Sequence, residues 1–65
     1  MKSWTPKQVK KFRKDLGLTQ TKFGEMVGVV KITVFQWERG ERTPSKTAKI
    51  LLARIEEEIR GQNAT

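Results

Sequence analysis

The sequence contains no cysteine and no histidine. The first absence excludes a disulfide framework, and the two together exclude a zinc site of the Cys/His kind. They also remove the commonest nucleophile–base pairs of hydrolases. No phosphate-cradling glycine loop stands in their place, so neither enzymatic activity nor a metal or other cofactor is expected. Long apolar runs are lacking too, which predicts no membrane span. The first residues, Met1-Lys2-Ser3-Trp4-Thr5-Pro6, have none of the apolar core of a signal peptide, so the expected location is the cytoplasm. Acidic residues are scarce: seven Asp and Glu face fourteen Lys and Arg, leaving a net charge of +7.

What is present fits one small domain of 65 residues. At 35% hydrophobic residues the margin for a core is thin, so each apolar side chain must be heavily used. Two Trp and three Phe, with clear periodicity over residues 4–59, argue against disorder. The charge is uneven. Residues 1–49 carry twelve basic and four acidic groups, net +8, while residues 50–65 are net −1. A polyanionic partner is implied, facing the first three quarters of the chain.

Four helices are legible. Thr5 suits an N-cap, Pro6 the first helical position and Gln8 the third, with Trp4 and Val9 at the spacing of a hydrophobic staple. Val9, Phe12 and Leu16 give the buried face, Gly17 the stop, and Lys7, Lys10, Lys11 and Lys14 the opposite, solvated face. Thr19 caps a second helix with Phe23, Met26 and Val27 inside, and Gly28 ends it. The run Lys31-Ile32-Thr33-Val34-Phe35-Gln36-Trp37-Glu38 is β-branched at three positions. The spacing of Val34 and Trp37, and the want of a partner strand, make it a helix. Its weakness is Val30 at the N-cap, where Ser or Thr normally bonds the first N–H groups. After the polar loop at 39–42, Thr43 is expected to cap and Pro44 to open a last helix running to about Arg60. Ala48, Leu51, Leu52, Ile55 and Ile59 share its inner face. Ile50 and Ala53, nearly opposite, are expected to wrap into the core rather than form a self-association patch. Glu56, Glu57 and Glu58 read as solvated surface, and residues 61–65 as a frayed tail.

Residues 20–37 form a unit. Gly28 lies midway between two short helices, Gly24 gives the first of them a position with no side chain, and apolar residues fall at Phe23, Val27, Val29, Val34 and Trp37. A helix-turn-helix needs this arrangement: a tight turn, a close approach, and faces buried on a third helix. At this point the sequence resembles the Xre-type helix-turn-helix domain of phage repressors and Cro proteins. The likeness is carried by Leu18-Thr19-Gln20, Gly24, Val27-Gly28-Val29, Thr33-Val34, Trp37-Glu38-Arg39-Gly40 and Arg42-Thr43-Pro44. It covers about residues 5–58. The resemblance implies an all-α, lambda repressor-like domain of four compact helices over residues 1–60, with 61–65 a flexible tail. Its third helix lies in the DNA major groove.

The resemblance also implies roles. Val30, Lys31, Ile32, Thr33 and Gln36 match base-facing positions: Lys31 can donate to guanine, Gln36 can pair with adenine, and Ile32 can meet a thymine methyl. Gln20 matches a phosphate clamp at a helix N-terminus. Arg39, Arg42 and Thr43 match the loop that grips the DNA backbone. Arg13 and Glu38 match a partly buried ion pair. Val30 and Ile32 replace residues more often polar, so readout there leans on apolar contact and shape, or one of them turns inward. Phe35 is large and apolar for an exposed position. The function implied is a bacterial or phage transcriptional regulator, a repressor that binds double-stranded DNA, so acting at the nucleoid. The alternative is an antitoxin that holds a partner protein and regulates itself through DNA. A homodimer and a toxin partner both stay open; no small-molecule effector is expected.

Overall fold

The computed structural model describes residues 4–63, and the side chains of residues 4–61. Four helices follow one another: α1 (Pro6–Asp15), α2 (Gln20–Val27), α3 (Lys31–Arg39) and α4 (Lys46–Asn63). No strand occurs among the described residues. Helix starts are set by side-chain oxygens. Thr5 Oγ1 accepts from the Gln8 N–H at 3.2 Å, and Thr19 Oγ1 from the Lys22 N–H at 3.1 Å. Each satisfies one of the orphan donors of a first turn. At α3 the N-cap is Val30, and no side-chain bond forms there, as its chemistry requires.

The start of α4 differs from the sequence expectation. Ser45, not Thr43, is the cap: its hydroxyl accepts from the Ala48 N–H at 3.2 Å and its carbonyl from Lys49 N–H at 2.9 Å. Pro44 is buried in the segment before the helix rather than opening it. With Pro44 buried ahead of the helix, Ser45 is the next residue able to cap. The far end differs as well. The helix continues through residues 61–63, three beyond the expected end at Arg60, while Ala64 and Thr65 of the expected tail lie outside the described residues.

The core draws on every helix: Trp4, Val9, Phe12, Phe23, Val27, Val34, Trp37, Ala48 and Leu52. The rings of Trp4 and Phe12 lie 5.4 Å apart and those of Phe12 and Phe23 6.1 Å apart, edge to face. Tilted aromatic contacts of this kind add to area burial. Leu16, Leu18, Met26, Val29, Leu51, Ile55 and Ile59 pack around this centre. Ile50 does not join it: the side chain is 53% exposed, contrary to the expectation that it wraps inward.

The turn between α2 and α3 depends on two glycines. Gly28 closes α2 at φ +78°, a region that costs other residues steric strain. Gly24 serves a different need. A Cβ built there would stand 2.5 Å from the carbonyl oxygen of Val29, an atom of the backbone that cannot swing aside. Gly24→Ala therefore sets two effects against each other. Helix propensity favours alanine by at most about 1 kcal/mol. Overpacking against backbone costs about 1–3 kcal/mol. A lower denaturant midpoint is expected; a raised one would show that the turn opens freely.

Candidate nucleic-acid interface

The start of α3 lies at the surface. Val34 and Trp37 bury its inner face, and the Glu38 side chain is covered beside them. Val30, Lys31 and Ile32 are exposed, while Thr33 and Gln36 are half-buried. Neither Val30 nor Ile32 turns inward: they are 64% and 57% exposed. Phe35 is 38% exposed, and the Arg39 guanidinium sits 5.4 Å from its ring centroid. That cation–π contact accounts for an aromatic at this outer position, because the ring is a platform for Arg39.

The orientation of α3 is fixed from beneath by a charged cluster. Arg13 on α1 makes a two-pronged pair with Glu38: Nε to Oε2 at 2.6 Å and Nη2 to Oε1 at 3.1 Å. Its Nη1 also donates to the carbonyl of Leu18 at 2.9 Å, tying down the turn before α2. The two side chains are 13% and 6% exposed. Gln20 joins them, its Nε2 donating to Glu38 Oε1 at 3.3 Å. One carboxylate thus links α1, α2 and α3. A planar guanidinium suits this task because its donors match both carboxylate oxygens at once.

The loop after α3 folds back onto the helix. Gly40 takes φ +80°, and the N–H groups of Glu41 and Arg42 both donate to the Gln36 carbonyl, at 2.9 and 3.3 Å. The backbone carrying Arg42 is thereby tied to α3. Arg42 and Thr43 are exposed, and with Ser45 capping α4 the Thr43 hydroxyl is released from that duty. Arg39 forms a pair with Glu41, Nε to Oε2 at 3.2 Å, with both side chains at least half exposed. Exposed pairs of this kind contribute about 0–1 kcal/mol, so a phosphate can displace Glu41.

The structure thus brings Gln20, Arg13 and Glu38 into one network, and Gln36, Arg39 and Arg42 onto one helix end and its loop. Lys7, Lys10, Lys11 and Lys14 form a separate exposed face on α1, where Lys11 pairs with Asp15 at 2.9 Å. Glu57 and Glu58 are solvated as expected, but Glu56 is not: its side chain is only 17% exposed and lies 4.0 Å from Arg60. Sequence reasoning missed two features of the site. One is the Phe35–Arg39 stacking, for which the spacing of four on a helix is the signal. The other is the Gln20–Glu38 bond, which has no local signal because eighteen residues separate the partners.

Two short helices crossing a glycine turn, the second held outward on an ion pair to a third, define a helix-turn-helix protein. A family model described as helix-turn-helix matches residues 9–56, and the chain belongs to this Cro/C1-type, Xre-like family. No curated protein and no solved structure matches the chain significantly. The family is one of DNA-binding regulatory domains rather than enzymes, and double-stranded DNA is the partner it implies. Among the described residues no helix is long and apolar enough to cross a membrane.

Proposed function

We propose that this protein is a sequence-specific transcriptional repressor that occupies an operator with α3 in the major groove. The observation that carries the reading is the outward face at the start of α3, where Lys31 and Ile32 are exposed beside Gln36. The bidentate Arg13–Glu38 pair holds that helix from below. In this reading Val30, Lys31, Ile32, Thr33 and Gln36 meet base edges. Gln20, Arg39, Arg42 and Thr43 meet the phosphates and set the register without reading sequence. Gln20 can do so while bonded to Glu38, because a side-chain amide has two N–H donors. The protein acts in the cytoplasm on the nucleoid. Two copies on a two-fold site would read half-sites about 34 Å apart.

Selection of binding sites from random duplexes, followed by affinity profiles over single-base variants, tests this. Lys31→Ala and Gln36→Ala are each expected to relax preference at one base pair, by roughly 1–3 kcal/mol. Arg42→Ala should weaken all sequences alike. If Arg42→Ala changed preference and Lys31→Ala did not, the orientation of α3 in the groove would be wrong. Capture of a partner protein by a chain with no DNA affinity would favour the antitoxin reading instead.

A further inference from the structure

Charge of one sign is concentrated on α1. Lys7, Lys10, Lys11 and Lys14 are all exposed and share the face opposite the buried Val9 and Phe12. On the other helices Lys22, Arg39 and Arg60 each have an acid within 4.0 Å. The one acid of α1, Asp15, answers Lys11, and among the described residues none pairs with Lys7, Lys10 or Lys14. This arrangement works against the helix that carries it. Like charges three and four residues apart repel one another. Lys7 stands in the first turn, at the positive end of the helix dipole, with no acid beside it. A local choice that weakens the fold marks a surface kept for another purpose.

We propose that this face binds the phosphates of a second duplex, so that the protein bridges two DNA segments, one read by α3 and one held by α1 without regard to sequence. This rests on the operator-binding reading above and adds a separate DNA surface. Position keeps the two apart. Glu38 holds α3 on the Arg13 side of α1, and Arg13 stands about 110° round the helix from the centre of the lysine face. A duplex seated on α3 thus leaves the lysines pointing away from it. Their extent suits one DNA strand. Lys7 to Lys14 covers about 10 Å of helix axis, a length over which one strand passes about three phosphates. With Lys11 taken by Asp15, Lys7, Lys10 and Lys14 supply one charge for each of them. An acidic protein is the poorer match. Protein interfaces centre on apolar anchors and are depleted in lysine, and the exposed large apolar residues, Val30, Ile32, Phe35 and Ile50, all lie off α1. Lysine ammoniums on flexible stems act as point charges, which fits a uniform backbone and reads no bases.

The test uses the intact protein, beads carrying its selected duplex, and a labelled free duplex that lacks the selected site. The parent protein is expected to capture the labelled duplex on the beads. Per protein bound, that second affinity should drop about 40-fold between 50 and 200 mM salt, the response of three phosphates. The triple change Lys7→Gln, Lys10→Gln and Lys14→Gln should hold the bead duplex as tightly as the parent and lose the capture. Arg42→Ala should do the converse, loosening attachment to the beads while leaving capture per bound protein unchanged. Capture that persists in the triple variant would overturn the proposal, since another surface, such as α3 of a second copy, would then hold the second duplex. Weaker operator binding by the triple variant would also overturn it, placing the lysines on the same duplex as α3. Displacement of the labelled duplex by less polyglutamate than unlabelled duplex, charge for charge, would assign the face to an acidic protein instead. No capture by a parent protein that binds its operator would remove the second surface and leave the operator reading standing. A parent protein with no preferred duplex would overturn both.

Discussion

Glu38→Ala is expected to cost about 3–5 kcal/mol of fold stability, the range for removing one partner of a buried ion pair. The magnitude follows from what is stranded. The Arg13 side chain is 13% exposed and would keep a full charge with only the Leu18 carbonyl to accept from it. Gln20 would lose its acceptor in the same change. Glu58→Ala is the appropriate control, because Glu58 is exposed and surface changes usually fall within about ±0.5 kcal/mol. Glu56 is unsuitable for this purpose, being largely covered and close to Arg60. The double change Arg13→Met with Glu38→Leu should recover much of the loss, since an apolar pair can replace a buried ionic one. Recovery should stop short of the parent, because the bond from Arg13 to the Leu18 carbonyl is not replaced. Denaturant melts of the four proteins decide. Equal midpoints for Glu38→Ala and Glu58→Ala would mean that α3 is not held through this carboxylate.

The parts of this fold that the sequence makes legible are those set by neighbours in the chain. Thr5 and Thr19 cap because a hydroxyl three residues before an N–H reaches it in any helix start. Gly28 ends α2 because little else accepts its φ. The choice between Thr43 and Ser45 is of another kind. Both are good caps, and Pro44 locally favours the first, but burial of the proline ring against the rest of the domain selects the second. Glu56 shows the same limit: three consecutive glutamates look alike in sequence, and only the packing of α4 covers the first of them. Ile50 fails in the opposite direction, being apolar yet left outside because α4 meets the core along Ala48, Leu52 and Ile55. At the candidate site, the Arg13–Glu38 pair was legible only through the family resemblance, since the two partners lie 25 residues apart.

Binding to duplex DNA is expected to fall steeply with salt, and the slope also reports how many copies bind. Each phosphate neutralised by a cation contributes about −0.9 to the slope of log affinity against log salt. On the proposed assignment Arg39 and Arg42 each neutralise one phosphate, which gives about −1.8 for a single copy. Two copies on a two-fold site give about −3.6, or a loss of roughly 150-fold between 50 and 200 mM salt against about 12-fold for one. The two arginines should not contribute equally at first contact. Arg39 is pre-positioned on the Phe35 ring but must leave Glu41, whereas Arg42 is exposed on a loop whose backbone is tied to α3. Arg42→Ala should thus lower the magnitude of the slope by about 1 for each bound copy. Glu41→Gln should raise affinity modestly without changing sequence preference, because it removes a competitor for Arg39 and no base contact. Titrations of the selected duplex at four or five salt concentrations measure all three slopes. A flat response for the parent protein would remove phosphate contact, and with it the operator reading; a slope unchanged by Arg42→Ala would place the DNA backbone elsewhere on the domain, with the lysine face of α1 the next surface to vary.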